Sequence, residues 1–252
     1  MKLCEIIPRL LIQTLGFRAS PPARGCTGRN LCCLYRRLGY PDATDVIRRD
    51  LTEEAWFLGR LLAELLPDQP EALGLLALML HAEARRRARR NAKGEYVPLG
   101  GQDPALWDQA MIEEAERLIL RMSALGPIGR YQLEAALQSA HVCRRRSGKN
   151  NWEDILHLYD TLSAIASSPV VAINRALAVA EVHGAAAGLD ALEAVTDRRI
   201  TEYLPDWAAR AELFSRTGAS AEAHKAYEVA IGLERDPAVT LFLRKLQSAL
   251  SI

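Results

Sequence analysis

A 34-residue spacing in the second half of the chain constrains the fold more than any other feature of the sequence. Tyr159 and Pro169 lie ten residues apart, and Tyr227 and Pro237 repeat that pair 68 positions later, which is twice 34. A period of this length indicates two-helix repeats that stack, because one such repeat buries its apolar face only against the next.

Two more columns of residues keep the same register. Gly184 and Gly218 lie one period apart, and Ile173, Trp207 and Leu241 also recur every 34 positions. The unit around Trp207 carries the small and aromatic residues of a tetratricopeptide repeat, namely Ala211, Phe214, Ala223, Tyr227 and Ala230. These columns predict an all-α fold, a helical-repeat (tetratricopeptide-like) solenoid of antiparallel helix pairs with a capping last helix. The residues predicted to be buried between repeats are Trp207, Phe214 and Tyr227.

The first half of the chain is also predicted to be helical. Asp50 and Glu53 are spaced as a capping pair that opens a first helix. A second helix is predicted over about 71–90, after two prolines that interrupt the pattern. Asp103 precedes a proline, which predicts an N-cap that opens a third helix ending near Leu125.

Charge and cysteine usage separate the N-terminal segment from the rest. Residues 1–49 hold nine Lys and Arg against three Asp and Glu, a net +6, whereas residues 50–252 hold 23 against 28, a net −5. The first 33 residues also contain four of the five cysteines. We therefore divide the chain into a segment 1–49 that is expected to be flexible, a helical part 50–147 and the repeats with their capping helix, 148–252.

Neither a membrane segment nor a metal site is predicted. The apolar run from Ala72 to Leu80 is too short for a bilayer, which needs about 20 apolar residues. The N-terminal stretch does not resemble a signal peptide, since Glu5 and Pro8 interrupt it, so we expect a cytoplasmic protein. The clustered cysteines lack the paired spacing and the histidines of a zinc site, and no metal or cofactor is predicted.

Catalytic motifs are not found in the sequence. The five histidines are scattered, and no HExxH, GxSxG, GxxxxGK[ST] or GxGxxG pattern occurs. His141 and Cys143 are two residues apart on a predicted helix, so their side chains face different directions. No catalytic residue is predicted, and the chain is not expected to be an enzyme. An enzyme that uses the loop around Gln102 and Asp103 remains a third hypothesis.

A run of arginines forms a basic patch at the end of the second predicted helix. Its members are Arg85, Arg86, Arg87, Arg89 and Arg90. A structural role is favoured, because cations stabilise the negative end of a helix dipole. Binding of phosphate groups and binding of a protein partner are the alternatives.

Repeat geometry also predicts a binding surface. In stacked two-helix repeats the first helices line a concave face, and polar residues beside the packing anchors point into it. The candidate binding residues are Asn174, Glu181, Glu212 and Arg216, with Ala178 between the first two. A solvated surface without a partner is the alternative, since most exposed polar residues are only that.

Several blocks of the sequence resemble one family in their order and spacing. They include RRDLTEEAWFLGRLLAELLPDQPEALGLLALML, QDPALWDQAMIEEA, LYDTLSAIASSPVVAINRALAVAEVHG and RAELFSRTGASAEAHKAYEVAI, within about residues 47–250. The chain thus resembles the C-terminal extension of a group of extracytoplasmic-function (ECF) RNA polymerase sigma factors. The resemblance implies a bacterial, helical and tetratricopeptide-like regulatory domain, with residues 50–147 as its N-terminal part. It also implies a protein partner, which would be sigma regions, RNA polymerase or a signalling protein.

The promoter-binding regions of that family have no counterpart in this sequence, where about 46 residues precede the matching blocks. The acidic charge of residues 50–252 also disfavours contact with phosphates. We therefore expect no direct promoter DNA binding by this chain alone. The main hypothesis is a non-catalytic regulatory, protein-interaction domain of an ECF-type sigma factor, truncated before its promoter-binding regions. The alternative is a free-standing tetratricopeptide-like scaffold with an unrelated partner.

Overall fold

The computed structural model describes the backbone of residues 45–166, 168–195 and 203–250, and the side chains from residue 54 onward within these ranges. The described part is all-helical and contains no β-strand. Its α-helices are α1 Asp45–Leu65, α2 Pro70–Ala84, α3 Gln109–Met122, α4 Arg130–Ser147, α5 Trp152–Ile165, α6 Pro169–His183, α7 Ala185–Glu193, α8 Leu204–Thr217, α9 Ser220–Leu233 and α10 Pro237–Ser248. None of these helices is both long enough and apolar enough to cross a membrane.

The chain divides into two compact units. The first consists of Met1–Arg89 and Val97–Asp154, and the second of Arg90–Tyr96 and Ile155–Ile252. No sequence feature predicted that the short segment Arg90–Tyr96 belongs to the second unit.

Helix α2 is the centre of the first unit. Every residue from Ala72 to Ala82 is buried, because α1, α3 and α4 all pack against this helix. Gly74 allows a close approach of the two backbones: a Cβ at this position would lie 2.7 Å from the backbone nitrogen of Gln132 in α4. Helix α2 has no polar face because neighbouring helices cover it on all sides.

Two predicted helix starts in the first unit are wrong. Helix α1 extends back to Asp45, so Asp50 lies inside it and does not cap it. Asp103 caps only a short 3-10 turn, Pro104–Leu106, by accepting a hydrogen bond from the backbone of Ala105. The N-cap of α3 is Asp108, whose side chain accepts a hydrogen bond from Met111 N–H. Its own N–H donates to the carbonyl of Ala84 at the end of α2, a contact that sequence spacing does not reveal.

The second unit confirms the helical repeat. Helices α6 and α7 form one pair and α8 and α9 the next, and α7 packs against α8, so neighbouring helices follow one another in a series. Gly184 and Gly218 each end the first helix of a pair with a positive φ, +94° and +79°. Glycine is favoured at both turns because side chains rarely adopt such a φ.

The aromatic anchors of the repeat are buried to different degrees. Tyr227 is buried with Ala211 and Leu243, whereas Trp207 and Phe214 pack against this cluster but remain partly exposed. Full burial was therefore predicted correctly for the tyrosine only. Leu241 on the last helix, which shares the Trp207 column, is 45% exposed because no further repeat covers it among the described residues.

The segment Arg90–Tyr96 packs against α10 within the second unit. The ring centroids of Tyr96 and Phe242 are 5.4 Å apart in an edge-to-face arrangement. Lys245 Nζ lies 2.6 Å from Glu95 Oε1, and Arg90 pairs with Asp236, which caps the start of α10. One aromatic contact and two ion pairs thus hold this segment on the last helix.

Candidate functional site

The predicted binding residues of the repeat come together in part. Arg216 on α8 extends towards α6, where its Nη1 lies 2.6 Å from Glu181 Oε1 and its Nη2 lies 3.4 Å from the Ala180 carbonyl oxygen. Glu212, one turn earlier on α8, has its Oε1 3.9 Å from the same Nη1. We call the surface formed by Asn174, Glu181, Glu212 and Arg216 the repeat face.

The repeat face is electrostatically uneven, because two carboxylates share one guanidinium. Burial raises the pKa of the Glu212 carboxyl and the nearby Glu181 charge raises it further, whereas Arg216 lowers it. Glu212 in turn raises the pKa of the Tyr227 hydroxyl, although burial is the larger cause. Arg216 Nη1 lies 2.6 Å from Glu181 Oε1 but 3.9 Å from Glu212 Oε1, so Glu212 is the less compensated acid and its position suits contact with a cation.

The other two predicted binding positions on α6, Asn174 and Ala178, differ in their exposure to solvent. Asn174 is half-buried and lies seven residues before Glu181, so both are on one side of the helix. Ala178 between them is 1% exposed and belongs to the packed interior, where it cannot contact a partner. The repeat face is thus narrower than predicted.

The predicted arginine patch does not form a continuous basic surface. Arg85 is buried and donates its Nε–H to the His81 carbonyl, and Arg89 donates to the carbonyl of Ala82. Arg86 pairs with Glu83, and Arg90 lies in the second unit. The inward hydrogen bonds favour the structural role, in which arginines satisfy carbonyls at the end of α2. Arg87 is exposed.

A buried polar contact in the first unit was missed by sequence reasoning. His81 is fully buried on α2, and its Nε2 lies 3.3 Å from Glu116 Oε1 on α3. Ser139 on α4 donates a hydrogen bond of 2.9 Å to the other oxygen of Glu116. One residue from each of the helices α2, α3 and α4 takes part in this buried contact. The contact therefore suits a role in fixing the register of the three helices and not a reaction with a substrate. The only sequence signal for this contact is that all three residues occupy helix positions predicted to be buried.

His141 lies in a second polar environment, near the end of α4. Its ring packs edge-to-face on Trp152 at 5.8 Å, and the Arg144 guanidinium lies 4.5 Å from the centre of the same indole. Burial lowers the pKa of His141 to about 4, with further lowering by Arg144 and Arg85. The imidazole is therefore neutral at physiological pH.

The loop around Gln102 and Asp103, which the enzyme hypothesis would use, is held by hydrogen bonds within the chain. Gln102 is buried, and its side chain donates to the Val97 carbonyl while its own carbonyl accepts from Arg145. Asp103 acts as the cap described above. No group of three or more His, Cys, Asp or Glu side chains could hold a metal ion in the described part of the chain. The cysteine cluster at 4–33 lies outside that part.

Comparison with known proteins gives a family match over part of the chain. Residues 32–123 match a family of unknown function (DUF6596). A second similarity is to an uncharacterized protein of Rhizobium meliloti (strain 1021), 36% identical over 198 residues. The aligned region covers 79% of this chain and 47% of the relative, so the chain spans about half the length of that relative. No solved structure matches.

Proposed function

We propose that the chain is a non-catalytic protein-interaction domain of an ECF-type sigma factor, which acts in transcription initiation through a protein partner. The sequence blocks that resemble the sigma-factor extension run through both units, and the family match covers α1 to α3. The relative is about twice as long as the aligned region, which leaves room in that protein for further domains. The partner is a sigma region or RNA polymerase.

The observation that carries this proposal is the repeat face. Three charged side chains from two successive first helices meet there, as a contact surface of stacked repeats requires. Exposed ion pairs of this kind contribute only about 0–1 kcal/mol to stability, so they do little for the fold. Glu212 is exposed and its carboxylate lies 3.9 Å from Arg216, so it fits a partner that presents a Lys or Arg side chain.

A binding experiment tests the proposal. The full chain is mixed with the part of the Rhizobium meliloti relative that lies outside the aligned 198 residues, and separately with core RNA polymerase. We expect association with at least one of them, measured by calorimetry at two salt concentrations. Glu212→Lys should weaken it at least tenfold, which corresponds to about 1.4 kcal/mol.

Two variants complete the experiment. Asn174→Ala should weaken binding less than Glu212→Lys, because it removes no charge. Arg175→Glu is the matched control. Arg175 lies on another side of α6, where it forms an exposed 2.6 Å ion pair with Asp160 of α5. Equal binding by all variants, or no binding to either partner, would contradict the proposal.

A further inference from the structure

The acidic position on α8 has an apolar equivalent on α10. Glu212 and Leu246 lie 34 positions apart, so they occupy equivalent places in successive first helices of the repeat. Both side chains are exposed, and Leu246 is 38% exposed. Because the first helices of stacked repeats line one concave face, the acid of α8 and the leucine of α10 belong to the same surface.

A second apolar side chain of α10 lies beside Leu246. Phe242 is one helical turn earlier, on the same side of the helix, and is partly exposed. The ring of Tyr96, from the segment Arg90–Tyr96, packs edge-to-face on it with a centroid distance of 5.4 Å. We call Tyr96, Phe242 and Leu246 the α10 site, an apolar site with an aromatic wall.

The segment Arg90–Tyr96 also compensates a charge next to the α10 site. Lys245 precedes Leu246, and its Nζ lies 2.6 Å from Glu95 Oε1. The hydrogen bond from Lys245 lowers the pKa of the Glu95 carboxyl, and the hydrogen bond from Asn91 lowers it further. The carboxylate is therefore ionised at neutral pH, and the lysine does not present an unpaired positive charge beside the site.

We propose that the repeat face and the α10 site form one peptide-binding groove for an extended segment of the protein partner. In this groove Glu212 pairs with a Lys or Arg of the segment, and the α10 site takes up a large apolar side chain of the same segment. This inference rests on the proposed function, because it specifies what the repeat face recognises in the partner.

The spacing of the helices sets the spacing of the two side chains in the segment. Packed helices lie about 8–10 Å apart. A chain in the polyproline II conformation has three residues per turn and rises about 3.1 Å per residue, so residues i and i+3 point to the same side about 9 Å apart. The groove therefore fits a Lys or Arg followed or preceded, about three residues away, by a large apolar residue.

The charges of the groove decide the sign of its ligand. Arg216 is held by Glu181 at 2.6 Å, whereas Glu212 lies 3.9 Å from the same guanidinium. An acidic segment would meet the carboxylates of Glu181 and Glu212, which disfavours it. A basic segment supplies the cation that Glu212 lacks.

Selection from a library of random nine-residue peptides displayed on phage tests the groove, with the full chain as the target. We expect enrichment of peptides that carry Lys or Arg three positions from Leu, Ile, Met or an aromatic residue. The affinity of one enriched peptide, labelled with fluorescein, is then measured by fluorescence anisotropy. Glu212→Lys and Leu246→Asp should each weaken its binding at least tenfold.

Leu241→Asp is the matched control for Leu246→Asp. Leu241 is a 45% exposed leucine of the same helix, but it belongs to the Trp207 column and lies outside the groove. The control should change the affinity less than twofold, and far-UV circular dichroism should be the same for all variants. Enriched peptides without the expected spacing, or an affinity that Leu246→Asp leaves unchanged, would overturn the proposal.

The part played by the segment Arg90–Tyr96 has its own test. Tyr96→Ala should weaken the enriched peptide about fivefold but should not affect the same peptide with serine in place of its apolar residue. Equal losses for both peptides would refute a contact between Tyr96 and the apolar residue.

The two proposals can fail separately. Peptide binding in the groove, without association of the full chain with either the Rhizobium meliloti segment or core RNA polymerase, would support the groove and contradict the sigma-factor proposal. Association that Glu212→Lys weakens and Leu246→Asp leaves unchanged would support the sigma-factor proposal and contradict the groove.

Discussion

The carboxylate of Glu71, in the first turn of α2, accepts a 3.0 Å hydrogen bond from the backbone N–H of Tyr131, in the first turn of α4. The N–H of Gln132 also points to this oxygen, at 3.4 Å. The first N–H groups of a helix have no partner within the helix. A side chain of one helix of the first unit therefore caps another helix, and the N-terminal ends of α2 and α4 are held together.

Removal of this cap should destabilise the chain. We expect Glu71→Ala to lower the free energy of unfolding by about 0.5–2 kcal/mol, since two N–H groups lose their acceptor. Glu71→Gln keeps an acceptor oxygen and should cost less. Urea unfolding followed by circular dichroism measures both. Equal losses for the two variants would show that the carboxylate's charge, and not its hydrogen bonds, matters.

Two glycines within helices should respond to alanine in opposite ways. A Cβ at Gly74 would lie 2.7 Å and 2.8 Å from backbone atoms of Gln132 and Tyr131, so Gly74→Ala should cost about 1–3 kcal/mol. Gly232 on α9 has no atom within 4 Å of such a Cβ, and Gly232→Ala should stabilise by up to about 1 kcal/mol. Thermal unfolding of the two variants compares them directly. A stable Gly74→Ala would contradict the close packing of α2 on α4.

His141 should make stability depend on pH. Its pKa is about 4 in the folded chain and 6.5 for an ordinary histidine, so the unfolded chain binds more protons between these values. Stability should therefore fall as the pH is lowered from 6.5 towards 4, and His141→Gln should reduce this dependence. NMR titration of the imidazole checks the pKa itself. A midpoint near 6.5 would show that burial and the two arginines do not act as described.

The ion pair of the repeat face should contribute little to stability. A double-mutant cycle with Glu181→Ala and Arg216→Ala should give a coupling energy of about 1 kcal/mol or less, because both side chains are partly exposed. Added salt should reduce it further. Unfolding measured at low and high salt provides the test. A large coupling that salt does not change would assign these residues to the fold instead of to binding.

Local sequence signals predicted the parts of the fold that local physics decides. Gly184 and Gly218 mark turns that need a positive φ, and these two glycines lie one 34-residue period apart. Where two local signals for a helix start lay close together, contacts with residues distant in sequence determined where the helix begins. Asp103 and Asp108 are both suitable N-caps, but the long helix begins after Asp108, whose N–H bonds to the end of α2.

The buried polar residues illustrate the same limit for the candidate sites. The contact of His81 with Glu116 joins two helices, and no short motif encodes it. The residues of the repeat face could be placed near one another because α6 and α8 are the first helices of successive repeats. Ala178 was not excluded, because the burial of a small residue depends on the neighbouring helix and not on spacing alone.

The position of Arg90–Tyr96 on the last helix has a consequence for synthesis on the ribosome. Glu95 and its partner Lys245 are separated by 150 positions along the chain. At about 5–20 residues per second, the ribosome needs roughly 8–30 s to add the intervening residues. During that time Tyr96 has left the exit tunnel long before Phe242 has been synthesised, so this part of the second unit closes only after α10 has emerged.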